Sequence, residues 1–180
     1  DGGSDVCSAD LIIGAGHIGR AVAAVAPAFG MRVVFAARPG GNASDGETGA
    51  DVLPLHQLLL SSDVVSVHVP MRDDTRHLID RPALARMKRS AFLINTARGD
   101  VVDMAALRDA LMVGRFTGAG LDVFPDEPLP ADDPILDCEQ VVLTPHAADS
   151  TPEAVELLNE GAVDNVIAFL EGRPQNNVAV

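Results

Sequence analysis

Apolar residues in this chain form short unbroken runs, and segments with helical spacing separate them from end to end. Leu11–Ile13 reads as a buried strand, followed by a glycine turn and an Ala-rich helix from Ile18 to about Phe29, which Gly30 stops. Met31–Ala37 is a second strand, and residues 38–50 are a Gly-rich polar connection. Leu55–Leu60 is helical, Asp63–Val69 a strand and Arg81–Met87 a short helix. Ala91–Ile94 is the next strand, Asp103–Val113 a helix closed by Gly114, and Gly118–Leu121 and Val141–Leu143 the last two strands. Continuous apolar strands alternating with helices predict an α/β fold, a doubly wound parallel sheet covered by helices on both faces.

The final element has a different pattern. Ser150-Thr151-Pro152-Glu153 has the form of a capping box with proline in the first turn. Val155, Leu158, Ala162, Val166 and Phe169 then recur at helical spacing until Gly172 and Pro174. A long helix with such a stripe is expected to pack it into a core. The expected division is therefore a main domain over residues 1–150 and a long helix with a tail over residues 151–180.

Composition narrows the classes. At 180 residues and 47% apolar, the chain has material for one domain with a sizeable core. No apolar run approaches the roughly 20 residues of a membrane helix, and no secretory pattern opens the sequence, so no membrane partner is expected. Cys7 and Cys138 lie far apart without metal-ligand spacing, as expected of two reduced thiols in a cytoplasmic protein. A net charge of −13 argues against a nucleic-acid partner, whose phosphates it would repel.

Gly14-Ala15-Gly16-His17-Ile18-Gly19 follows a predicted strand and opens a predicted helix. Gly14 permits the tight turn, Gly16 admits a pyrophosphate to the backbone, and Gly19 lets the helix pack close to the strand. This context favours a nicotinamide dinucleotide over the alternatives, which are S-adenosylmethionine, a flavin, or a turn that binds nothing. A carboxylate about 20 residues past the loop would select NAD by pairing with the ribose hydroxyls. Here Ala37 and Arg38 end the second strand, which removes the repulsion of a 2′-phosphate and offers a fork of donors to it. NADP(H) is therefore preferred, with NAD(H) as the alternative. His68-Val69-Pro70 follows another strand and reads as the floor of the cofactor site.

Three polar residues complete a chemical set: Arg98 in NTARGD, Glu127 in LDVFPDEPLP and His146 in LTPHAA. Arginine can grip a substrate carboxylate, and a histidine cation stabilised by a neighbouring carboxylate can donate a proton. Each is weak alone, since arginines after strands and acidic proline-rich loops are commonly just solvated. Together they suit a 2-keto acid receiving a hydride.

GAGHIGRAVA, SSDVVSVHVP, MKRSAFLINTARGDVVD, GAGLDVFPDEPL and VVLTPHAA resemble, in order, the signature blocks of the D-isomer-specific 2-hydroxyacid dehydrogenases, a likeness that spans about Ala9 to Val178. The resemblance implies a Rossmann-like fold and reduction of a small 2-keto acid such as glyoxylate, hydroxypyruvate or a 2-keto sugar acid. It also implies that Arg98 binds substrate, that His146 is the proton donor, and that Glu127 is its partner. Asp122 would contact the nicotinamide end, while Val69, Thr96 and Ala97 would wall the cleft. The family also implies a homodimer and a further substrate domain of roughly 100 residues ahead of the glycine loop, where this chain has 13 residues before Gly14. Ala37, Arg72 and Asp149 depart from the family pattern, at positions where an acid, a threonine and a small residue are usual. The competing reading is a dinucleotide-binding module without catalysis, akin to the family's corepressors.

Overall fold

The computed structural model describes residues 9–36 and 50–176. Cys7, Ala37 and Arg38 lie outside the described residues. The chain divides into two compact units, the first ending at Pro145 and the second beginning at His146.

Among its described residues the first unit holds seven strands: β1 (Ala9–Ile13), β2 (Arg32–Ala36), β3 (Asp51–Leu53), β4 (Val64–Val67), β5 (Phe92–Asn95), β6 (Gly118–Leu121) and β7 (Val141–Leu143). They form one sheet in the order β3-β2-β1-β4-β5-β6-β7, with every neighbouring pair parallel. This is the doubly wound arrangement expected from the alternating pattern, and the Rossmann-like fold that the resemblance implies. The chain reverses its direction of growth between β1 and β4, so the loops after these two strands open side by side. Sheets of this kind bind ligands at such a crevice.

The helices of this unit are α1 (His17–Val25), α2 (Leu55–Ser61), α3 (Arg81–Leu84) and α4 (Met104–Met112). Leu58, Val65, Val67, Leu93, Leu107 and Leu111 are fully buried and form the centre of the core. Cys138 is a free thiol buried with them, and burial pushes its pKa up. It therefore behaves as a small hydrophobe.

Three local expectations need correction. The helix expected from Ile18 to Phe29 is α helical only to Val25 and continues as a 3-10 turn over Ala26–Phe29. Pro27 has no N–H to carry the α ladder onward, and the tighter turn accommodates it. Gly30 still ends the segment, at φ 76°, with its N–H on Pro27 O at 2.9 Å. The helix expected over Arg81–Met87 stops at Leu84, started by Asp80, whose side chain accepts from Ala83 N. Finally, β3 has no counterpart in the sequence reading. Three residues are too few to display a period.

The second unit contains α5 (Pro152–Leu170). Its N-cap is Thr151, whose hydroxyl accepts from Ala154 N at 3.1 Å. The Ser150–Glu153 box is therefore not formed: Pro152 takes the first helical position, the cap moves one residue on to Thr151, and Ala154 stands where the reciprocating acid would be. The expected burial of the α5 stripe is overturned as well: Leu158 is 72% exposed and Phe169 71%. Periodicity reports that a face is apolar, and says nothing about which residues cover it. Among the described residues, no helix is long and apolar enough to cross a membrane.

Candidate active site

The glycine loop is built by close approaches. Gly14 has φ +110°, and a Cβ on it would lie 2.5 Å from the His68 carbonyl oxygen. A Cβ on Gly19 would lie 2.0 Å from Gly14 O. Gly16 is different, since among the described residues nothing stands within 4 Å of where its Cβ would be. The loop is packed on the protein side and open where a phosphate would approach. Gly16 is also the N-cap of α1, and among the described residues no side chain caps that end or places an acid in its first turn. The first N–H groups of α1 are thus available to an anion. His17 and Ile18 begin the helix, and Ile18 is exposed.

The loop after β4 lies against this turn. His68 N donates to Ile13 O at 2.7 Å, and His68 Nε2 shares a hydrogen bond of 2.8 Å with Ser66 Oγ. Burial lowers the His68 pKa, which favours the neutral ring. Beyond Val69 and Pro70 the loop is tied by Thr75, a buried residue whose hydroxyl donates to Pro70 O at 2.7 Å and accepts from Arg72 N at 2.8 Å. Arg72, in the family's threonine position, pairs at the surface with Asp74 at 3.1 Å.

At the end of β5 sits Asn95, fully buried. Its amide nitrogen donates to Arg98 O and its amide oxygen accepts from Ala97 N, both at 3.0 Å. One side chain therefore folds Thr96-Ala97-Arg98 into a fixed turn. Asn95 O in turn accepts from Asp122 N at 3.0 Å. Arg98 itself is exposed, with a guanidinium N–H on Ala97 O at 2.6 Å. Asp122, at the end of β6, is buried and accepts from Thr144 Oγ1 at 2.5 Å. Glu127 is held on the same loop by Phe124 N, which donates to its Oε1 at 2.9 Å.

The first unit thus gathers Gly14, Gly16, Val69, Pro70, Thr96, Ala97, Arg98, Asp122 and Glu127 on loops at the carboxyl ends of its strands, with Gly19 in the first turn of α1. His146 opens the second unit, with its backbone in the left-handed region at φ 53°. Ala37 and Arg38, on which the cofactor preference depends, are outside the described residues. Asn95, Thr75 and Thr144 were not anticipated as site residues. A polar residue at the close of an apolar strand is the signal that marks Asn95, and nothing comparable marks the two threonines. Among the described residues, no group of three His, Cys, Asp or Glu side chains could hold a metal.

A parallel sheet with a glycine loop at its switch point defines a dinucleotide-binding α/β domain. Residues 8–148 match the family described as D-isomer specific 2-hydroxyacid dehydrogenase, NAD binding domain, and the chain belongs to that family. It is 46% identical over 177 residues to the glyoxylate reductase of Korarchaeum cryptofilum, covering 98% of this chain and 53% of that protein. Among solved structures, an acyclic imino acid reductase in complex with NADPH and D-Arg aligns with a TM-score of 0.87 at 33% identity, covering 96% of this chain and 54% of that one. The D-lactate dehydrogenase of Aquifex aeolicus, complexed with NAD and lactic acid, aligns at 0.80 and 38% identity, covering 92% and 54%. The chain spans about half the length of the relatives it matches.

Proposed function

We propose that this chain is the cofactor-binding part of an NADP(H)-preferring reductase of small 2-keto acids, with glyoxylate or hydroxypyruvate as the favoured substrate. The observation that carries the reading is the turn at Asn95, which presents Arg98 at the edge of the sheet that also bears the glycine loop. The packed Gly14 and Gly19 and the open Gly16 fit a pyrophosphate lying on the first turn of α1. When bound, the nicotinamide supplies a hydride to the keto carbon. Arg98 pairs with the substrate carboxylate and draws electron density towards the adjacent carbonyl oxygen. His146 delivers a proton to that oxygen, and Glu127 stabilises the histidine in its charged form. The product is the 2-hydroxy acid. Asp122, Val69, Pro70, Thr96 and Ala97 shape the cleft around the nicotinamide. The active form is a homodimer in the cytoplasm.

The test is oxidation of NADPH by the intact protein in the presence of glyoxylate or hydroxypyruvate, beside a titration with NADPH and NADH. Turnover with either acid and tighter binding of NADPH, weakened selectively by Arg38→Ala, are expected. NADPH binding without turnover on any 2-keto acid would identify a binding module instead. A preference for NADH would discard the role given to Ala37 and Arg38 and leave the reductase standing.

A further inference from the structure

Arg98 and Glu127 stand on different loops, after β5 and after β6, and two contacts in the first unit tie those loops together. The first is at Gly99. This residue is buried, and a Cβ on it would fall 2.0 Å from Phe124 C, 2.4 Å from Phe124 O and 2.3 Å from Pro125 N. Its φ lies outside the left-handed region, so space and not backbone conformation requires glycine here. The second contact is the N–H of Phe124, which donates to Glu127 Oε1 at 2.9 Å. Both contacts converge on Phe124. On the other side of the joint, Asn95 fixes the carbonyl of Arg98, the residue that precedes Gly99.

We propose that Gly99 is a positioning residue: through the backbone of Phe124 it sets the substrate-gripping Arg98 in register with Glu127. The proposal rests on the reductase reading above for the roles of those two residues. A methyl group at Gly99 would push apart two backbones that have no flexible end to yield, and it would move both loops. Pro125→Gly acts on the same joint more gently. Pro125 is exposed, so the change adds freedom to the Phe124–Glu127 segment without a clash in the core.

The test compares Gly99→Ala and Pro125→Gly with the wild type in two measurements. Steady-state kinetics with glyoxylate give KM, kcat and the pH profile of kcat. Amide NMR follows Arg98 and Phe124 through a pH titration. A shift of the order of 1 Å in one of these groups should lower kcat/KM about a hundredfold in Gly99→Ala, with a smaller loss in Pro125→Gly. KM should rise through Arg98, while kcat falls and its pH profile shifts through Glu127. The amides of Arg98 and Phe124 should move together in each variant. Variants that lose only stability, with KM, pH profile and the Arg98 amide as in the wild type, would overturn the proposal. If Gly99→Ala does not fold, Pro125→Gly decides alone. A wild type without turnover in which Pro125→Gly still moves the Arg98 amide would sink the reductase reading and leave the joint intact; an unmoved Arg98 amide would sink the joint itself.

Discussion

Asp122 is a carboxylate with 4% of its surface exposed, and Thr144 Oγ1 donates to it across the ends of two neighbouring strands. Removing one partner of a buried hydrogen bond is costly because the other polar group is left poorly solvated. Thr144→Val keeps the shape and removes the donor. It should cost about 1–3 kcal/mol, against near-wild-type stability for Thr144→Ser. At roughly 2–4 °C per kcal/mol for a chain of this size, thermal melting resolves the loss. An unchanged melting temperature in Thr144→Val would show that other partners of Asp122 suffice. His68 contributes a pH dependence of the opposite origin. Burial lowers its pKa in the folded chain, so the unfolded chain takes up a proton first as the pH falls. Stability should therefore be unaffected by this group above its ordinary value of about 6.5 and should decline below it, down to the lowered folded value. Denaturant unfolding between pH 5 and 7.5 should show His68→Gln gaining on the wild type as the solution is acidified. A gap independent of pH would count against the assignment.

At the scale of the element, β1, the glycine loop and α1 act as one unit. Gly19 faces Gly14 O at a distance that no side chain tolerates, and Gly14 in turn faces His68 O. Gly19→Ala must lift α1 away from the turn, and the N–H groups at Gly16–Ile18 move with it. Dinucleotide binding should weaken at least about tenfold, as nicotinamide fluorescence would show, since the pyrophosphate depends on that close approach. Unchanged affinity would mean that the dinucleotide does not sit on this loop. Elements of this kind were legible in the sequence because a glycine with no room for a Cβ leaves a fixed spacing. The parallel sheet was legible for a similar reason, since strands buried on both faces read as unbroken apolar runs. What stayed hidden was smaller or less local. β3 is three residues long, Pro27 changes the type of helix and not its presence, and Thr151 displaces Ser150 as the cap. The turn made by Asn95 depends on hydrogen bonds to residues two and three positions on, which a pattern of apolar positions does not encode.

At the scale of the molecule, the expected chemistry divides between the two units. The proposed dinucleotide site, with Gly14, Gly16, Gly19, Thr96 and Asp122, lies in the first, while the expected proton donor, His146, opens the second. Binding and turnover should therefore separate under mutation. His146→Ala should lower kcat about 10²–10⁴-fold, the usual worth of a positioned general acid, and leave the Kd for NADPH nearly unchanged. Glu127→Gln should lower kcat less, because the histidine remains and only its partner is lost. The sharper expectation concerns the two together. If Glu127 acts only through His146, removing it after the histidine has gone costs nothing further, and the double variant should turn over no more slowly than His146→Ala alone. Additive losses would instead give Glu127 a separate role, touching substrate or shaping the cleft on its own account. That outcome would leave the family membership untouched and rewrite the mechanism.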